Sequence, residues 1–342
     1  ERQLCSWFAA RFELPDGAGG VAASGGSLSN LTALVTARHR MGLDHDPQAV
    51  VLISEQAHVS LDKAARVMGL EPDGIRRIPV DAQGCMLIPA LQDHLRRLQR
   101  QNRPCIAVVA TAGTTVRGAI DPIPSLAKLC AEQGIWLHVD GAIGAVFALC
   151  PGTSMLMEGL GHADSITVNP QKLLGIAKTS SLLLVRDQSS LEQTFHTGLP
   201  YMEPAFAAAH GGELGLQGSR PAEILKLWLG LRQLGEQGIH AVLEQALLRR
   251  QRLQNCLDPS LLEITSGPLH LLACAPLGAD APRCEQWTAA MRQRLLDQQI
   301  MVSRPVHEGR HRIKVVLGNP HTSDSLIDQL GTQLNDISVG QS

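Results

Sequence analysis

Apolar residues along the first half of the chain fall into two alternating patterns. Short, nearly continuous apolar runs at 49–53, 106–111, 136–140, 165–169 and 181–185 predict strands. Longer stretches at 27–40, 58–68, 89–101 and 122–133 carry helical periodicity, and in the first of them Leu28, Leu31, Leu34 and Val35 share one face. Strands separated by helices predict an α/β fold with a mostly parallel central sheet, whose ligands gather at the carboxyl ends of the strands. From about residue 190 the pattern changes. Residues 195–218 are rich in Gly, Pro and Ala with little periodicity and read as a long loop. Stretches at 222–235 and 239–254 read as helices. An apolar stretch at 262–275, a helix near 284–298, a segment at 312–317 and a final helix from Ser323 predict a smaller α+β domain. The expected organisation is a large α/β domain over 1–235 and a small α+β domain over 236–342.

Composition narrows the class. The chain has 342 residues, 44% of them hydrophobic, which is enough for a substantial core. A formal net charge of −2 gives no bulk electrostatic reason to bind nucleic acid or an anionic membrane. No apolar run is long enough for a transmembrane helix, and no leader follows Glu1. A first residue other than Met reads as a trimmed chain or a fragment. The eight cysteines form no Cys-x-x-Cys, and several, such as Cys105 and Cys274, sit in apolar surroundings. They are expected to be reduced thiols of a cytoplasmic protein, with no metal site.

Three segments carry candidate chemistry. Ser24-Gly25-Gly26-Ser27-Leu28-Ser29-Asn30 opens a predicted helix, where free backbone N–H groups and the Ser27 hydroxyl suit a phosphate, unless this is an ordinary glycine turn with a serine cap. Trp136-Leu137-His138-Val139-Asp140-Gly141-Ala142 runs a strand into Asp140, a carboxylate placed for a metal, a ribose or a protonated ring nitrogen, or simply for capping the next helix. Asn169-Pro170-Gln171-Lys172 delivers a lysine just after a strand. Lysine is a nucleophile towards carbonyls when partly desolvated. There are only six lysines: Lys63, Lys128 and Lys226 fall in helical periods, Lys314 in a late strand, and Lys178 is the local rival.

Taken in order, a phosphate cradle, His58, Thr111-Ala112-Gly113-Thr114-Thr115, Asp140 and Lys172 are the parts that pyridoxal 5'-phosphate requires. At these motifs the sequence resembles the group II pyridoxal-phosphate-dependent amino acid decarboxylases, whose members act on glutamate, cysteine sulfinate, aromatic amino acids and 2,4-diaminobutyrate. The resemblance covers nearly the whole chain. It implies the fold-type I, PLP-dependent transferase-like architecture. It also implies that Gly26 and Ser27 belong to the phosphate loop, that His58 stacks on the cofactor ring and that Thr115 contacts the cofactor. Asp140 would pair with the ring nitrogen, Ala142 would pack on the ring, and Asn169, Gln171 and Lys172 would form the motif that joins the cofactor to the chain. Gly218-Ser219-Arg220, leading into Leu225-Lys226-Leu227-Trp228, resembles the family's later Gly-Arg and Lys-x-Trp stretch.

The departures are equally specific. The residue before the lysine is usually His in the family and is Gln171 here, able to donate a hydrogen bond but not to carry charge. Ile143 stands where many members have an aromatic residue. The family's mobile loop supplies a tyrosine as the acid that protonates the substrate carbon; here Tyr201 lies further from Arg220 than that tyrosine would, and His210 falls nearer the place. Family members also have a further N-terminal segment that helps build the pocket and the dimer, and this chain begins almost at the phosphate loop.

The expectation is therefore a carboxy-lyase acting on a small polar L-amino acid, 2,4-diaminobutyrate or an acidic one, as a homodimer, with Lys172, His58, Asp140, His210 and Tyr201 as catalytic candidates. The alternatives are a transaminase, desulfurase or aldolase on the same fold, or a non-catalytic relative. His307-Glu308-Gly309-Arg310-His311 fits His-Glu-x-x-His, but Pro305, Gly309 and the alternation that follows predict a hairpin turn instead of a metallopeptidase helix.

Overall fold

The five apolar runs lie side by side in one sheet of a computed structural model that describes residues 1–178, 180–198 and 211–340. Two further strands join them. In chain order the sheet comprises β1 (Gly19–Ala23), β2 (Val50–Ser54), β3 (Ile75–Ile78), β4 (Cys105–Thr111), β5 (Trp136–Gly141), β6 (Ser165–Val168) and β7 (Ser181–Val185). In space the order is β3-β2-β4-β5-β6-β7-β1. Pairings from β3 to β6 are parallel, and β7 is antiparallel to both β6 and β1. The helices of this part are α1 (Arg2–Arg11), α2 (Gly26–Arg40), α3 (Ser60–Val67), α4 (Ile88–Arg100), α5 (Ile123–Gln133), α6 (Ser189–Phe195) and the start of α7 (Ile224–Cys256).

The central strands are legible because they are buried on both faces, so their sequences are continuous apolar runs. Every residue of β2 and β7 is buried. Helix α2 packs across β1, β4, β5, β6 and β7. Its Leu34 and Ala37 join Val51, Ile53, Leu61 and Val109 in one apolar cluster. Each large aliphatic side chain so buried contributes about 1.5–3 kcal/mol. The strands without a sequence signal are the edges. β1 reads Gly-Gly-Val-Ala-Ala, and β3 reads Ile-Arg-Arg-Ile. Charge on an edge strand hides its periodicity and guards against pairing with another chain.

The chain divides into two compact units, residues 1–113 with 120–240, and residues 114–119 with 241–342. In the second unit the apolar stretch 262–275 is two antiparallel strands, β8 (Leu262–Ser266) and β9 (Leu271–Pro276), with β12 (Ile313–Val316) on the other side of β9. Helices α8 (Ala281–Asp297) and α9 (Asp324–Leu334) complete it, and the Ser323 hydroxyl caps α9 by accepting from the Leu326 N–H. Trp287, Met291, Leu295, Cys274 and Ile313 fill this core. The two helices expected over 222–235 and 239–254 are present as the two halves of α7, which meet at the non-helical Gly235 (φ 62°, ψ 178°). The His-Glu-x-x-His segment is the expected hairpin: β10 (Val306–His307) pairs with β11 (Arg310–His311) around Glu308 and Gly309, both at positive φ. His307 and His311 thus lie on opposing strands, not on one helical face.

Candidate active site

The first unit delivers the predicted residues to one edge of its sheet. His58 follows β2, Asp140 ends β5, and Lys172 follows β6, all at carboxyl ends of parallel strands. β1 runs in the same sense as β6, because each is antiparallel to β7, so the turn into α2 reaches the same edge.

That turn is built for close approach. Gly25 adopts φ 148°, a conformation L side chains rarely take. A Cβ on Gly26 would stand 2.8 Å from Nδ2 of Asn169. With its amide in the orientation that satisfies both ends, Asn169 accepts from the Gly26 N–H (3.2 Å) and donates to Ser181 Oγ (2.6 Å). Ser181 in turn hydrogen-bonds Ser29 Oγ at 2.8 Å. The start of α2 is thereby pinned to the residue that precedes the Pro170–Lys172 turn. Ser27 is exposed at the second position of the helix. Gln171 uses its carbonyl oxygen to accept from the Ser180 N–H; its NH2 end makes no hydrogen bond among the described residues.

The charged centre lies deeper. Asp140 is buried, with one oxygen accepting from Asn30 Nδ2 (2.8 Å) and the other from the Ala142 N–H (3.2 Å). Its carboxylate acts electrostatically on both His58 and Lys172, and Lys172 acts on His58, so the three share one field. Partial burial lowers the Lys172 pKa from the ordinary lysine value, opposed by Asp140. Burial likewise lowers that of His58, helped by Lys172 and Lys63 and opposed by Asp140. The His58 ring is oriented by Ser60, whose backbone N–H (3.2 Å) and hydroxyl (2.9 Å) both meet Nδ1. A ring nitrogen that accepts a backbone N–H carries no proton, so in neutral His58 the proton sits on Nε2.

Sequence reasoning missed the layer behind this centre. Asn30, read as part of the phosphate loop, turns inward and donates to Ser60 Oγ (3.0 Å) as well as to Asp140. Its carbonyl meets His138 Nε2 at 3.1 Å, and His138 Nδ1 meets Ser165 Oγ at 2.8 Å. Trp136 Nε1 donates to the same hydroxyl at 2.8 Å. Periodicity pointed the other way: the predicted face of Leu28, Leu31, Leu34 and Val35 is half-buried except at Leu34, while Ser29, Asn30, Thr32 and Thr36 are buried with Ala33 and Ala37. Thr115 stands half-buried in the turn 114–119 of the second unit, where Thr114 Oγ1 accepts from the Ala119 N–H. Tyr201 and His210 lie outside the described residues.

The profile of the pyridoxal-dependent decarboxylase conserved domain matches residues 2–264. The chain belongs to that family. Among its relatives, L-2,4-diaminobutyrate decarboxylase of Rhizobium meliloti (strain 1021) is 34% identical over 326 residues, which are 93% of this chain and 66% of the relative. Aromatic-L-amino-acid decarboxylase of Bacillus atrophaeus is 32% identical, over 74% of this chain and 54% of its own length. Human cysteine sulfinic acid decarboxylase is 30% identical, over 85% and 62%. The chain thus spans between half and two thirds of these relatives' length. The crystal structure of mouse CSAD superposes with a TM-score of 0.89 at 27% identity, covering 98% of this chain and 74% of that one. The fold is the type I, PLP-dependent transferase-like architecture.

The residues present fit pyridoxal phosphate. The Gly25-Gly26 turn leaves a cradle that a Cβ on Gly26 would crowd, at the start of a 15-residue helix with no acidic residue in its first turn. Asp140 is a buried carboxylate held only by neutral donors, so its charge is free for a protonated ring nitrogen. Lys172 is exposed, yet surrounded closely enough that its pKa falls.

Proposed function

We propose that this chain carries the decarboxylation of an L-amino acid to its amine and CO2, and that the substrate is small and polar, 2,4-diaminobutyrate or an acidic amino acid. The observation that carries the reading is the placement of His58, Asp140 and Lys172 at the carboxyl ends of parallel strands, with Asp140 and His58 joined through Asn30 and Ser60. When bound, pyridoxal phosphate supplies an aldehyde that condenses with amines and a ring that withdraws electrons.

The chain's own groups then have distinct tasks. Lys172 Nζ, with its pKa lowered, is more readily the neutral amine that attacks a carbonyl and later accepts or returns a proton. Asp140 accepts the N–H of the protonated ring nitrogen and keeps that proton in place. His58 and Ala142 would hold the ring from its two faces and so orient the substrate bound to it. The backbone N–H groups at the start of α2 and the Ser27 hydroxyl hold the phosphate, with the NH2 end of Gln171 as a further donor. Tyr201 or His210 would be the proton donor to the substrate carbon.

The substrate class is supported by the L-2,4-diaminobutyrate decarboxylase relative, aligned over 93% of the chain, and by Ile143 in place of an aromatic residue. The site works within a pair of identical chains, as the resemblance implies, and inside the cell, consistent with eight free cysteines. CO2 release from a panel of diaminobutyrate, aspartate, glutamate, cysteine sulfinate and aromatic amino acids tests the reading. Turnover is expected on the small polar members, with Lys172→Ala lowering it by at least about a thousandfold. A keto acid product, or release from aromatic substrates alone, overturns it.

A further inference from the structure

With the His138 ring neutral, the hydrogen bonds behind Asp140 have only one consistent assignment of donors. An ionised carboxylate can only accept, so the group of Asn30 at 2.8 Å from Asp140 is its NH2. The second N–H of that amide goes to Ser60 Oγ, which leaves the Ser60 O–H to donate to His58 Nδ1. The Asn30 carbonyl must then accept, so His138 Nε2 carries a proton and donates to it. Ser165 Oγ accepts from Trp136 and turns its own hydrogen to His138 Nδ1. Asn30, Ser60, His138 and Ser165 are all buried.

Resting on the reading above, we infer that Asn30, locked by His138, is a positioning residue that holds the Asp140 carboxylate and the His58 ring as one unit around the cofactor's pyridine ring. A single amide reaches both: one N–H to the carboxylate that meets the ring nitrogen, the other, through Ser60, to the ring that stacks above it. Without the His138 donor the buried Asn30 carbonyl loses its hydrogen bond, and the amide loses the contact that holds its far end. The device is also uncharged. A lysine or arginine in place of Asn30 would consume the charge that Asp140 needs for the ring nitrogen. Burial pushes the His138 pKa down to about 4, so it stays neutral near pH 7.

The test uses the 342-residue chain and two readouts other than turnover. In pyridoxal phosphate titrations followed by absorbance, Asn30→Ala is expected to raise the Kd by roughly tenfold or more, the range for a lost hydrogen bond to a charged group. His138→Phe is expected to raise it severalfold. The double variant should match Asn30→Ala alone, because His138 acts through Asn30. Far-UV circular dichroism of the cofactor-free variants checks that each is folded. Should His138→Phe fail to fold, nitrogen-15 NMR of the unsubstituted chain decides: His138 is expected as the Nε2–H tautomer, without titration between about pH 5.5 and 8. Unchanged cofactor affinity in Asn30→Ala, additive losses, or a neutral His138 found as the Nδ1–H tautomer overturns the inference. A chain that binds no cofactor even unsubstituted overturns the underlying reading, and the inference with it.

Discussion

At Gly25 the backbone conformation decides the residue. Its φ of 148° is strained for any side chain, although open space surrounds it. Gly25→Ala is therefore expected to cost about 1–3 kcal/mol through backbone strain alone. Urea unfolding of the cofactor-free chain reads this directly, and an unchanged midpoint would show that the turn relaxes without loss. At this scale the sequence disclosed residue types but not directions. Asp140 and Lys172 were legible because each follows a clear strand. The inward turn of Asn30 was not, because its partners His138 and Asp140 lie 108 and 110 residues away along the chain. A helix-opening Gly-Gly-Ser accounts for its neighbours without it.

Elements are held in place at the active edge by a second buried carboxylate. Asp121 accepts from the Met86 N–H (2.6 Å) with one oxygen and from the Thr111 N–H (2.7 Å) with the other, tying the end of β4 to the approach to α4. Burial pushes its pKa up to about 6, against the pull of those two donors. Asparagine has the same shape but only one accepting end, so Asp121→Asn sets an N–H against a backbone N–H. A loss of about 1–3 kcal/mol is expected in chemical denaturation. Wild-type stability in that variant would mean the two backbone groups find other acceptors. Elements were legible where burial is two-sided, as in β2 and β7. They were obscure at the edges, where small residues in β1 and arginines in β3 replace the apolar run.

Across the whole molecule, the alternation of strands and helices was enough to read an α/β fold with a mostly parallel sheet, and the motif order was enough to read the family. What the chain's sequence left undetermined was the reversal of β7, since an antiparallel strand inside a parallel sheet has the same apolar pattern as its neighbours. That reversal is what turns β1 and the start of α2 to the edge that holds Lys172. On the reading proposed above, this edge is a pyridoxal phosphate site with Lys172 as its nucleophile. The most direct measurement is borohydride reduction of the chain with added pyridoxal phosphate, followed by peptide mass mapping. One dominant adduct is expected, on the peptide containing Lys172, and it is expected to vanish in Lys172→Ala. An adduct confined to Lys178 or to the helical lysines, or no adduct at all, would contradict that reading.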